Sequence, residues 1–521
     1  MSLLTTLARL EAVDRGRAQP LATVRHRHLS ERPMVVVPLT AAGEAGAPLA
    51  VMLGTERESP RLHVVPQPLD RDLRFAFLAA LADDLLPYLE GYADDVEPVE
   101  GSEKDPETGE KTTVVRELCT DAPQLVVPNE AAVRYLGLLG RSTRFRRTAD
   151  DPDPGPYPAP ARVPLLGRWL THLREHAEVP GSCLLLAMTA LLGRHWATGQ
   201  SGLEDQHLGA QLAWIAPPPG LTGAEAAARA ESDRDARGRL VCPPAGPATD
   251  PRFDQRFLAP AITRYDAARS LPDAAVRAAR ERDVAELLAD ELRPTWEAVW
   301  QGIDLLRTLP PAAHLAARWE SDRWSYTSHR DRVRAGEPPQ PIRDDAVTAA
   351  RKLAQREREQ TRLEVQEALD DPLAMAERRL AGEAFAGVVA NVEAAYDTSG
   401  RSAKPRPLVT VRTGDRPHAG PGSEVHRAPE PGRLDAPAQK AELVAVDAAE
   451  GLVTVRLTSG MGRKREPEPG SVPEVGERVC FTLFELAPRR SAPLPDPEET
   501  PWTHGGTGDD RPAALAFEEW E

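Results

Sequence analysis

Apolar positions follow three different rhythms along this chain. After an amphipathic helix at MSLLTTLARLEAV, short apolar runs at Met34 to Leu39 (MVVVPL), Leu49 to Gly54 (LAVMLG) and Leu62 to Pro66 (LHVVP) alternate with turn-rich EAGAP and ERESP, which predicts three strands. Leu73, Phe77, Leu81 and Leu85 then recur at helical spacing between residues 70 and 88. An acidic stretch from Asp94 to Glu110 reads as a loop, Gln124 to Val127 as a strand, and Asn129 opens a helix that ends near Gly140. Residues 1–148 therefore predict a small α/β domain of order α-β-β-β-α-β-α.

Helical spacing takes over beyond the proline-rich segment 149–162. Leu165 to Glu178, Cys183 to Thr198 and Leu203 to Ile215 read as three apolar helices, and 224–250 as a flexible charged segment. Further helices fall at 257–269, 273–288 and 294–309, with Pro294 in a first-turn position. Residues 163–334 are expected to form an all-helical domain. A helical connector follows at 343–398. Its first half, from an Asp344 cap, carries eight charges between Arg351 and Glu364 and predicts a solvated strut. Its second half restarts at Asp371-Pro372 and predicts a packed helix reaching Tyr396.

Period two replaces period 3.6 after residue 400. Runs at 408–412, 441–448, 452–457 and 478–486, with a weaker one around Val425, predict a small β-barrel over 403–490 of the oligonucleotide-binding or SH3-like kind. The remainder, 491–521, has eight acids against one arginine and reads as a disordered acidic tail. Leu515, Phe517 and Trp520 stand among those acids as docking anchors for a basic-rimmed groove, or as residues that fold back onto the barrel. The fold class expected is thus multidomain α+β.

Composition narrows the function. At 521 residues the chain exceeds one core. Its most apolar run, Cys183 to Leu192, is too short to span a bilayer, so no membrane role is expected. Cys119, Cys183, Cys242 and Cys480 form no CxxC pair, which argues against disulfides or a thiolate zinc site and for a reducing cytoplasm. A net charge of −16 speaks against general coating of nucleic acid. The 58 arginines against 6 lysines, with 51 prolines, fit a GC-rich coding bias. Locally the balance reverses: 404–490 holds 14 basic and 12 acidic side chains.

The strand and helix order of the first domain is similar to the core of PD-(D/E)xK nucleases. The second and third strands, LAVMLG and LHVVP, nevertheless lack the acid and lysine that such a metal site needs. His172-Leu-Arg-Glu175-His176 resembles the HxxEH of inverted zinc peptidases, which implies two histidine ligands one helical turn apart and Glu175 as base. A third ligand would be required, and Glu204 is the available acid. HAEVPGS follows where that family has an apolar run, and the neighbouring stripe Leu166, Trp169, Leu170 and Leu173 equally makes these histidines helix-border residues. His26, His28 and His63 on adjacent strands are a weaker metal set, and Cys183 after Pro180-Gly181-Ser182 is a thiol at an expected helix start.

Two arginine-rich segments contain aromatics: Arg141, Arg144, Arg146 and Arg147 around Phe145, and Arg323 and Arg330 beside Trp324. Guanidinium groups suit phosphates and aromatic rings suit bases, although internal ion pairs with Glu320, Asp322 and Asp331 account for the second segment as well. Arg463, Lys464 and Arg465 sit on the loop before the last barrel strand. Walker, GxGxxG and GxSxG motifs are absent, which argues against nucleotide hydrolysis and dinucleotide binding. No cofactor is implied. The expectation is a non-catalytic cytoplasmic accessory protein whose barrel binds another protein or a nucleic acid. The alternatives are a metal-dependent hydrolase built on His172, Glu175 and His176, and a purely structural subunit of a larger complex.

Overall fold

A computed structural model describes residues 2–44, 46–104, 111–244, 246–399, 403–429, 439–462 and 464–486. It is a mixed α+β structure with a closed six-stranded barrel toward its C-terminal end. The tail anchors Leu515, Phe517 and Trp520, and Arg463, lie outside the described residues.

One sheet organises the larger body. Its order is Arg61–Val64, Pro48–Gly54, Met34–Thr40, Leu125–Val127, Leu185–Ala187. The first three strands are antiparallel and the last two join in parallel. Every residue of MVVVPLT is buried because helices cover both faces. The side chains still alternate. Val35, Val37 and Leu39 enter a core with Trp296, Val299 and Ile303, while Met34 and Val36 enter another with Leu81, Leu85, Leu136, Trp169 and Leu170.

The stretch expected to be a separate all-helical domain shares both of these cores. Cys183 to Thr198 is not one helix: Leu185–Ala187 is the fifth sheet strand and Met188–His195 a short helix after it. Strand and buried helix look alike in a ten-residue apolar run, and parallel pairing with Leu125–Val127 decides the matter. Even the proline-rich 149–162 segment is tied in, since Ala159 is buried and its N–H donates to Arg147 O at 2.7 Å.

Three other local expectations change. The acidic stretch after Asp94 contains Val96–Lys104, half of a hairpin with Lys111–Cys119. The first part of the 224–250 segment lies on the helix Gly223–Ser232, which is opened by a Thr222–Glu225 capping box. Residues 273–309 form one helix, Ala274–Arg307, that runs straight through Pro294. Asp290, whose carbonyl loses its donor there, is exposed, whereas Trp296, Val299, Ile303 and Leu306 are buried. Packing on the sheet thus outweighs a proline cost of about 3 kcal/mol.

The connector helix is Ala346–Asp370, capped by Asp345 and not by Asp344, which instead meets Lys352 Nζ at 2.8 Å. No residue from 346 to 362 is buried, as a solvated strut requires, but the last two turns pack on the larger body. Glu367 pairs with Arg27 at 3.3 Å, Asp370 with Arg318 at 3.2 Å and with His314 at 2.6 Å, and Leu363, Val365 and Ala368 are buried. The restart at Asp371-Pro372 is present: Asp371 caps Pro372–Leu380 and also accepts from Thr23 N–H (2.8 Å) and Thr23 Oγ (2.9 Å). Burial alone would raise its pKa, but the bonds from His26, Leu373 and Thr23 outweigh it and hold Asp371 at about 2.

The expected helix to Tyr396 ends at Leu380, because Ala384–Glu393 is the first barrel strand. Phe385 and Val389 point inward and are buried, while Val388 between them is 41% exposed. Gly387 leaves room for the Arg412 carbonyl of the neighbouring strand, which any Cβ would strike. The barrel runs Ala384–Glu393, Leu408–Arg412, Leu452–Leu457, Gln439–Asp447, Glu424–Arg427, Arg478–Thr482 and closes on itself. Valines and leucines fill it, with Phe385 and Phe481 stacked at 5.4 Å. No described helix is long and apolar enough to cross a membrane.

Candidate functional sites: the His176 cleft and the barrel surface

The helix Val163–His176 buries Leu166, Trp169, Leu170 and Leu173, which leaves its last residue, His176, at the body's edge. Beside it runs the helix Leu315–Arg334, held by Tyr326 stacked on Trp169 at 5.4 Å and by His329 stacked on His172 at 4.1 Å. Asp322 and Ser325 lie one turn apart on that second helix and both reach His176. Asp322 Oδ1 is 2.7 Å from His176 Nε2, and Ser325 Oγ is 3.1 Å from Nδ1. A carboxylate only accepts, so Nε2 carries a hydrogen, and in the neutral ring Nδ1 then accepts from the serine. The other Asp322 oxygen accepts the Cys183 N–H at 2.8 Å. Asp322 is 2% exposed, while His176 and Ser325 are half-buried.

This chain of three groups opens on a cleft of about 280 Å³. Ser182, Arg318 and Trp324 line one side of it, and the connector helix supplies the facing wall through Gln355, Leu363 and Gln366. A second cleft of about 480 Å³ shares His176 and Ser325 with it and continues past Glu175 toward Lys352.

The HLREH motif is therefore used differently from the zinc expectation. His176 spends both ring nitrogens on Asp322 and Ser325. His172 is buried against His329, and burial, then the nearby His329, His176 and Arg332, hold its pKa well below the usual imidazole value. Glu175 faces Lys352 at 3.6 Å, and Glu204 accepts the Ser201 N–H at 2.7 Å in a separate turn. These residues do not converge as three ligands. Among the described residues, the donors that do converge are Glu424, His426 and Glu485 on the barrel, where Lys440 already holds Glu424 at 2.8 Å. His26, His28 and His63 also part company: His26 meets Asp371, His28 stacks on Trp319 at 3.9 Å, and His63 meets Asp84 at 2.6 Å. Cys183 heads no helix, and burial pushes its thiol up to about 12, so it is no thiolate.

Most of the two arginine-rich segments serves the fold. Arg144 is buried and donates to Gln340 O (2.9 Å) and Pro341 O (3.1 Å), Arg147 pairs with Asp153, and Arg146 reaches Ser142 O. Arg141 and Phe145 stay exposed. Arg330 is buried on Ala93 O at 2.7 Å, and Arg323 donates to Cys119 O at 2.7 Å and pairs with Glu97. Trp324 is half-buried on the cleft wall.

The barrel keeps cations outside. Arg412 and Arg478 are the direct cross-strand partners of Val388, one on either side, so all three point outward in a row. All are exposed, and neither arginine takes part in an ion pair among the described residues. Lys464 is exposed, and Arg465 lies over the ring of Tyr396 at 5.7 Å.

Compared with known proteins, the chain matches no family model, no curated protein and no solved structure. The sites thus stand on their own geometry. Ser325 escaped the sequence reading, and Asp322 was read only as an ion-pair partner for nearby arginines, because His176 lies 149 and 146 residues away. Their spacing of three was visible, but in a stretch that reads first as arginines and tryptophans. Val388 was assigned to a helix, which hid the arginine row.

Proposed function

We propose that this chain is an interaction protein whose barrel engages the phosphate backbone of a nucleic acid, with the larger body and the connector helix holding the barrel in place. The row Arg412, Val388, Arg478 carries the reading. Two exposed guanidinium groups across three adjacent strands, with Lys464 and Arg465 on the same module, offer charge-assisted donors to phosphate oxygens. Three other barrel cations are neutralised in place, Arg427 by Glu477, Lys440 by Glu424 at 2.8 Å and Arg456 by Glu442 at 3.2 Å. Against a net charge of −16 such a patch gives local contact and not general coating. A nucleic-acid-processing enzyme with an acidic face is the other occupant this surface admits.

The test is a gel-shift titration of the full chain with single- and double-stranded oligonucleotides at several salt concentrations. Binding should weaken with salt, and the Arg412→Glu, Arg478→Glu double variant should lose affinity at least tenfold and flatten the salt slope by about two. Unchanged binding by that variant, or none by the parent, would remove the reading; capture of an acidic protein partner without nucleic acid would move it to the enzyme.

A further inference from the structure

We propose a second activity, independent of the barrel: the His176 cleft is a nucleophilic site in which Ser325 is acylated by a small carboxylic ester and then freed by water. The assignment rests on three arrangements. Ser325, His176 and Asp322 are linked by hydrogen bonds of 3.1 and 2.7 Å, and the Cys183 N–H fixes the carboxylate from behind at 2.8 Å. Burial is graded along the chain of groups, with the carboxylate sealed and the serine on the wall of both clefts. Two residues lining the smaller cleft, Ser182 and Arg318, each also carry a buried polar atom, Oγ and Nε, without a partner among the described residues.

A histidine that only ties two helices together needs neither an open serine nor unspent donors beside it. The order of roles follows from the hydrogen bonds. Ser325 Oγ gives its proton to His176 Nδ1 and bonds to the acyl carbon. Asp322, a positioning residue, keeps Nε2–H in place and offsets the charge on the imidazolium. Ser182 and Arg318 line the same cleft and are the residues assigned to the developing oxyanion. The carbon–oxygen bond to the alcohol breaks, and the alcohol leaves with the proton from His176. Water then loses a proton to His176, attacks the Ser325 ester, and releases the carboxylic acid while Oγ regains its hydrogen. The walls, with Ser321, Ser328, Gln355 and Gln366 in about 280 Å³, suit a short polar acyl group.

The full chain is incubated with a fluorophosphonate probe and, separately, with p-nitrophenyl acetate. The expected result is a single adduct whose tryptic peptide maps to Ser325, together with catalytic ester turnover. Ser325→Ala should abolish both, and His176→Gln should lower kcat on the order of a hundredfold. Asp322→Asn should lower kcat with KM unchanged, a split that simple loosening of the helix pair would not produce. An unlabelled parent chain, an adduct on another residue, or equal turnover by Ser325→Ala would overturn the assignment. Because the peptide map uses the unmodified chain, the result does not depend on any variant folding.

Discussion

Glu291 is a carboxyl group placed where a carboxylate is costly. It lies on the helix Ala274–Arg307 and is 5% exposed, beside Pro243, Pro244 and Thr249 and near Val37 to Leu39 of the strand Met34–Thr40. Burial raises its pKa from 4.5 to about 7; Arg239 lowers it, and Asp250 and Asp254 raise it further. The folded state therefore keeps this proton to a higher pH than the unfolded chain does. Stability from this group is complete below pH 4.5 and is lost as pH rises through about 7. At about 1.4 kcal/mol per unit, the full swing is about 3 kcal/mol. Glu291→Gln preserves shape and removes the titration. Its stability relative to the parent should climb by about 3 kcal/mol between pH 4.5 and 8. Urea unfolding of both proteins across that range, followed by tryptophan fluorescence, to which the buried Trp296 and Trp300 on the same helix contribute, measures the difference. A constant offset between the two proteins at every pH would refute the reasoning, whatever its size.

Other outcomes follow from the same geometry. Asp371→Ala removes a helix cap and strands the Thr23 N–H, and should cost about 2–4 kcal/mol in thermal or urea unfolding. Because Asp371 is held at about 2, its contribution is present above the ordinary carboxylate range and fades as pH falls through that value, so the loss in the variant should shrink in strong acid. A fragment spanning 403–490 lacks the strand Ala384–Glu393 that closes the barrel and should fail to fold, whereas one spanning 382–490 should give a cooperative transition by circular dichroism. Trp296→Ala, which empties the core and breaks a 2.9 Å bond to Arg57 O, should cost about 3–5 kcal/mol by urea unfolding.

Local chemistry was legible wherever neighbours in sequence decide it. The strands at Met34–Thr40 and Pro48–Gly54, the Asn129 helix cap, and the Asp371-Pro372 restart all follow from residues within a few positions. So does the alternation of the hairpin Gln439–Asp447 and Leu452–Leu457. Where a segment's neighbours come from far away, the pattern was ambiguous. AFAGVVANVE satisfies a helical stripe as well as a strand, and pairing with Leu408–Arg412 and Arg478–Thr482 selects the strand. Leu185–Ala187 is apolar under either reading, and the empty edge of Leu125–Val127 claims it.

The candidate sites divide the same way. His176 was marked out by its sequence as a polar group at a helix border, and Lys464 and Arg465 as cations in a loop. What His176 does is set by the approach of a helix over a hundred residues distant, which delivers Asp322 and Ser325 to its two ring nitrogens. Sequence fixes which side chains can donate or accept. Only the packing of two helices and the closure of a barrel decide which of those donors face each other, because hydrogen bonds act over about 3 Å and the chain separation between partners carries no trace of that distance.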